Sequence, residues 1–172
     1  MEATTGENHV PRPESITDLI DRIVTSKWPA DEVEQAKYFA LLGFDPIAGQ
    51  SSNNDAAVMT GNLMAPSGLP IATATWASLN GNLFSINVFL DGELLAEGPH
   101  ALRTYRHIYA GLRGKYGPPL DETTDLSGRA SSKWQMNGTT TEMYCHLNPL
   151  PSVQLGFSHT AGNAEYEALP SR

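Results

Sequence analysis

The clearest pattern of apolar positions in this chain lies between Gly98 and Asp121. Apolar residues from Leu102 to Tyr116 are spaced mostly three or four residues apart, which is the period of a helix with one buried face. The positions between them hold arginines and a lysine. Tyr116-Gly117-Pro118-Pro119 then ends the pattern, because proline cannot continue a helix. The pattern therefore predicts a basic amphipathic helix that packs on the rest of the fold.

Two more helices are predicted near the start of the chain. Ser15 is an N-cap residue type and precedes an apolar face that begins at Ile16. Trp28-Pro29 interrupts this pattern, and a second helix is predicted over residues 31–42, with Gly43 where a left-handed C-cap belongs. The inward positions predicted for the second helix are Val33, Ala36, Phe39 and Ala40.

The remaining patterns alternate between apolar and polar residues and predict strands. Asn80-Gly81 and Asn137-Gly138 each mark a hairpin, because a type I′ turn needs positive φ at both central residues. A short last helix is predicted at residues 161–169. The predicted strands cover residues 57–64, 71–79, 83–90, 131–136 and 139–147, and one more passes through Val153, Leu155 and Phe157.

Hairpin-linked strands together with segregated helices predict an α+β fold. We expect an antiparallel sheet of about six strands packed on a central helix, with two N-terminal helices. Residues 1–14 show no periodicity and predict a flexible tail, which leaves residues 15–172 as a single α+β domain.

Residues 44–55 show no period and predict a long polar loop, a kind of segment that often carries function. It combines apolar side chains, a glycine that allows close backbone approach, and hydrogen-bonding side chains. We therefore expect it to bind a partner protein. The predicted contact residues are Phe44, Asp45, Pro46, Ile47, Ala48, Gly49, Gln50 and Ser51.

The formal net charge of −8 argues against nucleic acid as a ligand, because phosphate binding needs a cationic surface. The charge is uneven, since residues 1–55 carry a net −6 and residues 101–117 carry +4. An acidic end favours a cationic protein partner. A lone cysteine, no long apolar run and no secretory pattern at the N-terminus predict a cytoplasmic protein without a membrane span.

The sequence contains no recognisable catalytic constellation. The five histidines lack zinc-site spacing, and no nucleophile elbow, P-loop or dinucleotide-binding glycine motif is present. Cys145 and His146 are adjacent in a predicted strand, so their side chains point to opposite faces. We therefore expect no enzyme activity, no cofactor and no metal site, with Cys145 as a buried structural thiol.

Several short motifs carry a resemblance to a known group of proteins. They are Trp28-Pro29-Ala30-Asp31-Glu32, Leu42-Gly43-Phe44 and Tyr116-Gly117-Pro118-Pro119, followed by Trp134 in the next strand. With these motifs, most of residues 15–160 resembles the small acidic actinobacterial immunity proteins that include the immunity factor of the tuberculosis necrotizing toxin. The resemblance implies a cytosolic antitoxin that binds an NAD-hydrolysing toxin domain one to one and occludes its active site.

Two other interpretations stay open. Small acidic secretion chaperones have a similar order of helices and strands, bind an unfolded segment of an effector and usually dimerise. The extra N-terminal helix and the strand near Val153 depart from that pattern. A small hydrolase or ligand-binding enzyme is the third interpretation, for which no motif is present. A one-to-one complex with a toxin distinguishes an immunity protein from a dimeric chaperone.

Overall fold

The computed structural model of the chain describes residues 13–48, 52–55, 57–90, 98–147 and 150–170. The four helices among them are α1 (Ile16–Thr25), α2 (Glu32–Leu42), α3 (Gly98–Tyr116) and α4 (Thr160–Glu167). The strands described are β1 (Asp45–Pro46), β2 (Ser52–Asp55), β3 (Val58–Met64), β4 (Ile71–Leu79), β5 (Asn82–Leu90), β6 (Asp121–Thr124), β7 (Ala130–Met136), β8 (Thr139–His146) and β9 (Ser152–His159).

Local sequence signals set the ends of these elements. The Ser15 hydroxyl accepts a hydrogen bond from the Asp18 N–H at 3.1 Å and caps α1. Gly43 has a φ of 80° and ends α2 in the left-handed conformation. Asn80 and Asn137 each have a φ of 50°, as the first central position of a type I′ turn requires. The predicted caps and both hairpin turns are confirmed.

One antiparallel sheet contains all nine described strands, in the order β1-β3-β4-β5-β9-β8-β7-β6, with β2 also paired to β3. The α+β class and the antiparallel sheet are confirmed. The prediction of about six strands is too low, because it misses the short edge strands β1, β2 and β6. These strands have two to four residues, which is too few to show a clear period.

The core lies between one face of the sheet and the helices α1, α2 and α3. Ile86, Val88 and Leu155 alternate along β5 and β9 and point into it. From α3, Tyr105, Ile108 and Leu112 are buried against the sheet, as the helical period predicts. Helix α4 has no buried residue and contacts β5 and β9.

The inward face predicted for α2 is wrong at three of its four positions. Phe39 is buried, but Val33 is 66% exposed, and Ala36 and Ala40 are also exposed. The buried residues of α2 are Gln35, Tyr38, Phe39 and Leu42. Gln35 and Tyr38 carry polar groups, so a prediction from hydrophobicity alone selects the wrong face of α2 as the buried one.

The domain begins slightly earlier than predicted. Pro13 is buried, so it belongs to the folded unit and not to the tail. The rest of the predicted tail, residues 1–12, lies outside the described residues.

Candidate partner-binding site

The predicted partner-binding segment begins with a buried anchor. Phe44 is 1% exposed and belongs to the hydrophobic core, which corrects the expectation that its ring is available to a partner. Its position directly after the C-cap glycine of α2 explains the burial, because the chain turns back over the core there. The exposed members of the predicted set are Asp45, Pro46, Ile47 and Ala48. The other predicted contact residues, Gly49, Gln50 and Ser51, lie outside the described residues.

Within residues 44–55, the described parts 45–46 and 52–55 pair with β3 at one edge of the sheet, which corrects the prediction of a loop without regular structure. In β1, Asp45 is opposite Met64 of β3, and the Ile47 N–H donates to the Asn62 carbonyl at 3.0 Å. Further along, β2 pairs with the start of β3, Ser52 being opposite Thr60. Residues 45–46 and 52–55 are therefore two short edge strands.

A cleft of about 260 Å³ lies between this edge and α2, and we call it the edge cleft. Its lining includes Pro46, a predicted contact residue, and Glu32, an acidic residue of α2. The residues that line it are Glu32, Gln35, Ala36, Phe39, Pro46, Met59, Trp76 and Ser78.

The position of Trp76 in the edge cleft depends on a glycine in the next strand. Gly61 of β3 is directly opposite Trp76 of β4. A Cβ atom at Gly61 would lie 2.6 Å from Nε1 of Trp76 and 2.7 Å from its Cε2, which no real contact allows. The indole therefore occupies the space that any other side chain at Gly61 would need. Its ring also packs near Phe39, with 6.1 Å between the ring centroids.

Trp76 is the tryptophan whose indole N–H has no acceptor among the described residues. The Nε1 of Trp28 donates to the Thr139 hydroxyl at 2.8 Å, and that of Trp134 to the Gly117 carbonyl at 3.1 Å. Trp28 and Trp134 are buried, whereas Trp76 is only partly buried. Trp76 thus brings to the cleft wall an apolar ring whose N–H donor is unused within the described residues, and this pairing of ring and donor makes tryptophan common at interfaces.

Exposed apolar side chains occur next to the edge cleft. Val33 is 66% exposed and lies three residues before Ala36, so the two are neighbours on the surface of α2. Ile47, which follows Pro46, is 37% exposed. Single exposed apolar residues are ordinary, but here they adjoin one cleft.

The acidic residues near the cleft have different structural roles. Asp31 accepts a hydrogen bond from the Glu34 N–H at 2.8 Å, and Glu34 accepts one from the Ala30 N–H at 2.9 Å. These two carboxylates cap α2. Glu32 lines the cleft without a hydrogen bond or ion pair to any described residue, and Asp45 is exposed at the sheet edge. The cleft is therefore bordered by negative charge.

Cys145 and His146 are adjacent in β8 and are not placed to act together as a reactive pair. Burial raises the pKa of the Cys145 thiol, which disfavours the reactive thiolate, and its prediction as a buried thiol is confirmed. His146 stacks on Tyr144 on the opposite face of β8. Within the described part of the chain, no three histidine, cysteine, aspartate or glutamate residues are grouped so that they could hold a metal ion.

Trp76, Gly61 and Met59 are not among the site residues that the sequence predicts. A glycine inside a strand pattern, at Gly61, was the available signal, since it often marks close approach by another group. The register that brings Trp76 over it is a tertiary property that the local pattern does not contain.

Comparisons with known protein families, with curated proteins and with solved structures give no match for this chain. None of the described helices combines the length and the apolar character needed to cross a membrane.

Proposed function

We propose that this chain is an immunity protein that binds a cognate NAD-hydrolysing toxin domain one to one through the edge cleft and the exposed residues beside it, and so occludes the toxin's active site. It acts in the cytoplasm, without enzymatic activity, cofactor or metal. One observation carries the proposal. Trp76, held over Gly61, and Glu32 line one open, largely apolar cleft, and neither the indole N–H nor the Glu32 carboxylate has a hydrogen-bond or ion-pair partner among the described residues.

The chemistry of the cleft is suited to a protein partner. Interface energy concentrates in a few partly enclosed anchors, and tryptophan is among the residues most enriched in that role. Val33, Pro46 and Ile47 add apolar area around the ring. The indole donor then selects a partner group that carries an oxygen acceptor, such as a backbone carbonyl.

The charge of the site fits the proposed partner. A cleft that binds NAD must accommodate phosphates, and it is therefore expected to be electropositive. Glu32 and Asp45 provide a complementary surface, and attraction of this kind speeds the encounter. Phe44 holds the edge segment in place from the core, which leaves Ile47 and Ala48 as its contact residues.

The test is inhibition of NAD hydrolysis by a candidate toxin domain, such as that of the tuberculosis necrotizing toxin, with the complex sized by light scattering. We expect a one-to-one complex and loss of NAD hydrolysis. Trp76→Ala should weaken inhibition by roughly 30-fold or more, the size of an interface hot spot. Leu126→Ala is the matched control, because Leu126 is fully exposed in the turn at the other edge of the sheet.

Inhibition that is equally potent in Trp76→Ala, while Leu126→Ala weakens it, would move the binding surface away from the edge cleft. No inhibition of any NAD-hydrolysing toxin, together with no complex, would contradict the proposed function as a whole.

The secretion chaperone is the alternative, and the opposite edge of the sheet favours it. All four residues of β6 are exposed, and Leu120 and Leu126 on either side of it are 69% and 109% exposed. An open edge of this kind can accept an extended segment of another chain as an added strand. A homodimer that binds an unfolded effector segment, and no folded toxin, would support this alternative.

A further inference from the structure

A second cavity, of about 430 Å³, lies at the end of the sheet that carries the two Asn-Gly turns. It shares no residue with the edge cleft, and its volume is typical of a small-molecule site. Four parts of the chain meet there: the α1–α2 connection, the β4–β5 hairpin, the β7–β8 turn and the start of α4. We call it the turn-end cavity, and the lining residues used below are Lys27, Trp28, Phe84, Asn137, His159 and Glu165.

The walls of the turn-end cavity are held in fixed positions. Trp28 is oriented by its hydrogen bond to Thr139 and stacks on His159, with 6.0 Å between ring centroids. Asn137 donates to the Val24 carbonyl at 3.3 Å. A Cβ atom on Gly162 would lie 3.0 Å from that of Phe84, so α4 can approach this closely only with glycine there. A preformed cavity requires little ordering when a ligand enters.

Two residues of opposite charge, Lys27 and Glu165, line this cavity and do not pair with each other. Lys27 and Glu165 both line it and both are exposed, so they stand at its open side. They form no ion pair with each other, and neither has an ion-pair partner among the described residues. Apolar side chains, including Trp28 and Phe84, form much of the remaining wall. The cavity therefore has residues of opposite charge at its open side, and the rest of its wall combines apolar side chains with polar groups.

We infer that the turn-end cavity binds a small zwitterion with an apolar body, the chemical class of an apolar α-amino acid. The ligand carboxylate pairs with Lys27 and its ammonium group with Glu165, while its side chain packs against Trp28 and Phe84. Each ligand charge then makes a charge-assisted hydrogen bond, the stronger kind in proteins. This inference does not depend on the proposed function, because the two sites share no residue.

The test is titration of the full chain with L-phenylalanine, followed by amide chemical shifts in NMR spectra. Two analogues serve as probes of charge: 3-phenylpropionate, which lacks the ammonium group, and phenethylamine, which lacks the carboxylate. We expect shifts at Ser26, Asn82, Asn137 and Gly162, and weaker binding of each analogue by about fivefold or more, as the loss of one charge-assisted hydrogen bond implies.

Charge-removing variants separate the two contacts. Lys27→Met should bind L-phenylalanine no better than phenethylamine, and Glu165→Gln should bind it no better than 3-phenylpropionate. Lys37→Met and Glu14→Gln are matched controls, because both residues are exposed and neither lines the cavity. Equal affinity for all three probes, shifts that map elsewhere, or no binding at about 10 mM ligand, the weakest affinity of interest for so small a molecule, would overturn the inference.

Discussion

The ammonium group of Lys115 lies 2.6 Å from a carboxylate oxygen of Asp21 and joins the end of α3 to α1. Tyr116 donates a hydrogen bond to the same oxygen. The hydrogen bond from Lys115, followed by that from Tyr116, holds the pKa of Asp21 below its usual value. This contact connects two helices that also meet where Gly111 approaches Thr17.

Asp21→Asn should destabilise the protein by up to about 1 kcal/mol at neutral pH, because both partners are partly exposed and water screens the pair. The folded-state pKa of Asp21 is lower than the unfolded one. The stabilisation is therefore complete above the unfolded pKa and is lost as the pH falls through the folded pKa. Urea denaturation in a series below about pH 4, near the unfolded pKa, should show the difference from wild type shrinking. Glu14→Gln is the control, and a difference that grows on acidification would contradict the prediction.

A pair of glycine substitutions should change stability in opposite directions. Gly61→Ala should cost about 1–3 kcal/mol, because its Cβ would displace the Trp76 ring. Gly114→Ala, on the exposed side of α3, meets nothing within 4 Å and should stabilise the helix by up to about 1 kcal/mol. Chemical denaturation measures both. A neutral Gly61→Ala would mean that the indole does not rest on β3.

Trp76 should account for most of the tryptophan emission that a neutral quencher can reach. The other two tryptophans are 6% and 2% exposed and donate hydrogen bonds inside the fold. Acrylamide quenching of wild type and Trp76→Phe measures this, and the variant should lose most of the accessible fraction. Under the proposed function, adding the toxin domain should protect wild type from the quencher. Quenching that is unchanged in Trp76→Phe would place the ring inside the core.

Glu32→Gln should slow association with the proposed partner more than it speeds dissociation. Glu32 lines the edge cleft and has no hydrogen bond or ion pair to any residue that the structure describes, whereas Asp31 and Glu34 cap α2. Removing one such charge mainly lowers long-range attraction, so the effect should fade as salt is raised. Surface plasmon resonance at low and high salt provides the measurement. An effect confined to the dissociation rate would show that Glu32 makes a direct contact instead.

The parts of the fold that the sequence predicts well are those with strong local signals. Asn80-Gly81 and Asn137-Gly138 specify their turns through backbone conformation, and Ser15 and Gly43 specify helix ends through their own hydrogen bonds or φ angles. These signals act over a few residues and do not depend on the rest of the chain. For that reason they can be recognised in the sequence without knowledge of the tertiary structure.

The features that escape prediction depend on tertiary neighbours. β6 consists of Asp-Glu-Thr-Thr, four exposed residues whose strand conformation follows from pairing with β7 and not from any apolar alternation. The sequence predicts Phe44 as a contact residue of a loop. In the structure, the chain turns at Gly43 and the Phe44 ring lies in the core. The edge cleft likewise cannot be predicted from local sequence, because it forms where α2 packs near the paired strands β3 and β4.

The strand order also has a consequence for how the chain assembles. On one side, β3, β4 and β5 are neighbours in chain order, with β1 and β2 both paired to β3, and on the other side β6 to β9 are neighbours in chain order. The two meanders meet at a single seam, where Ile86 of β5 pairs with Phe157 of β9. Local hairpins form quickly, whereas closing so long a stretch of chain is entropically slow. We therefore expect the pairing of β5 with β9 to form last. This pairing, at the centre of the finished sheet, is then the rate-limiting step of folding.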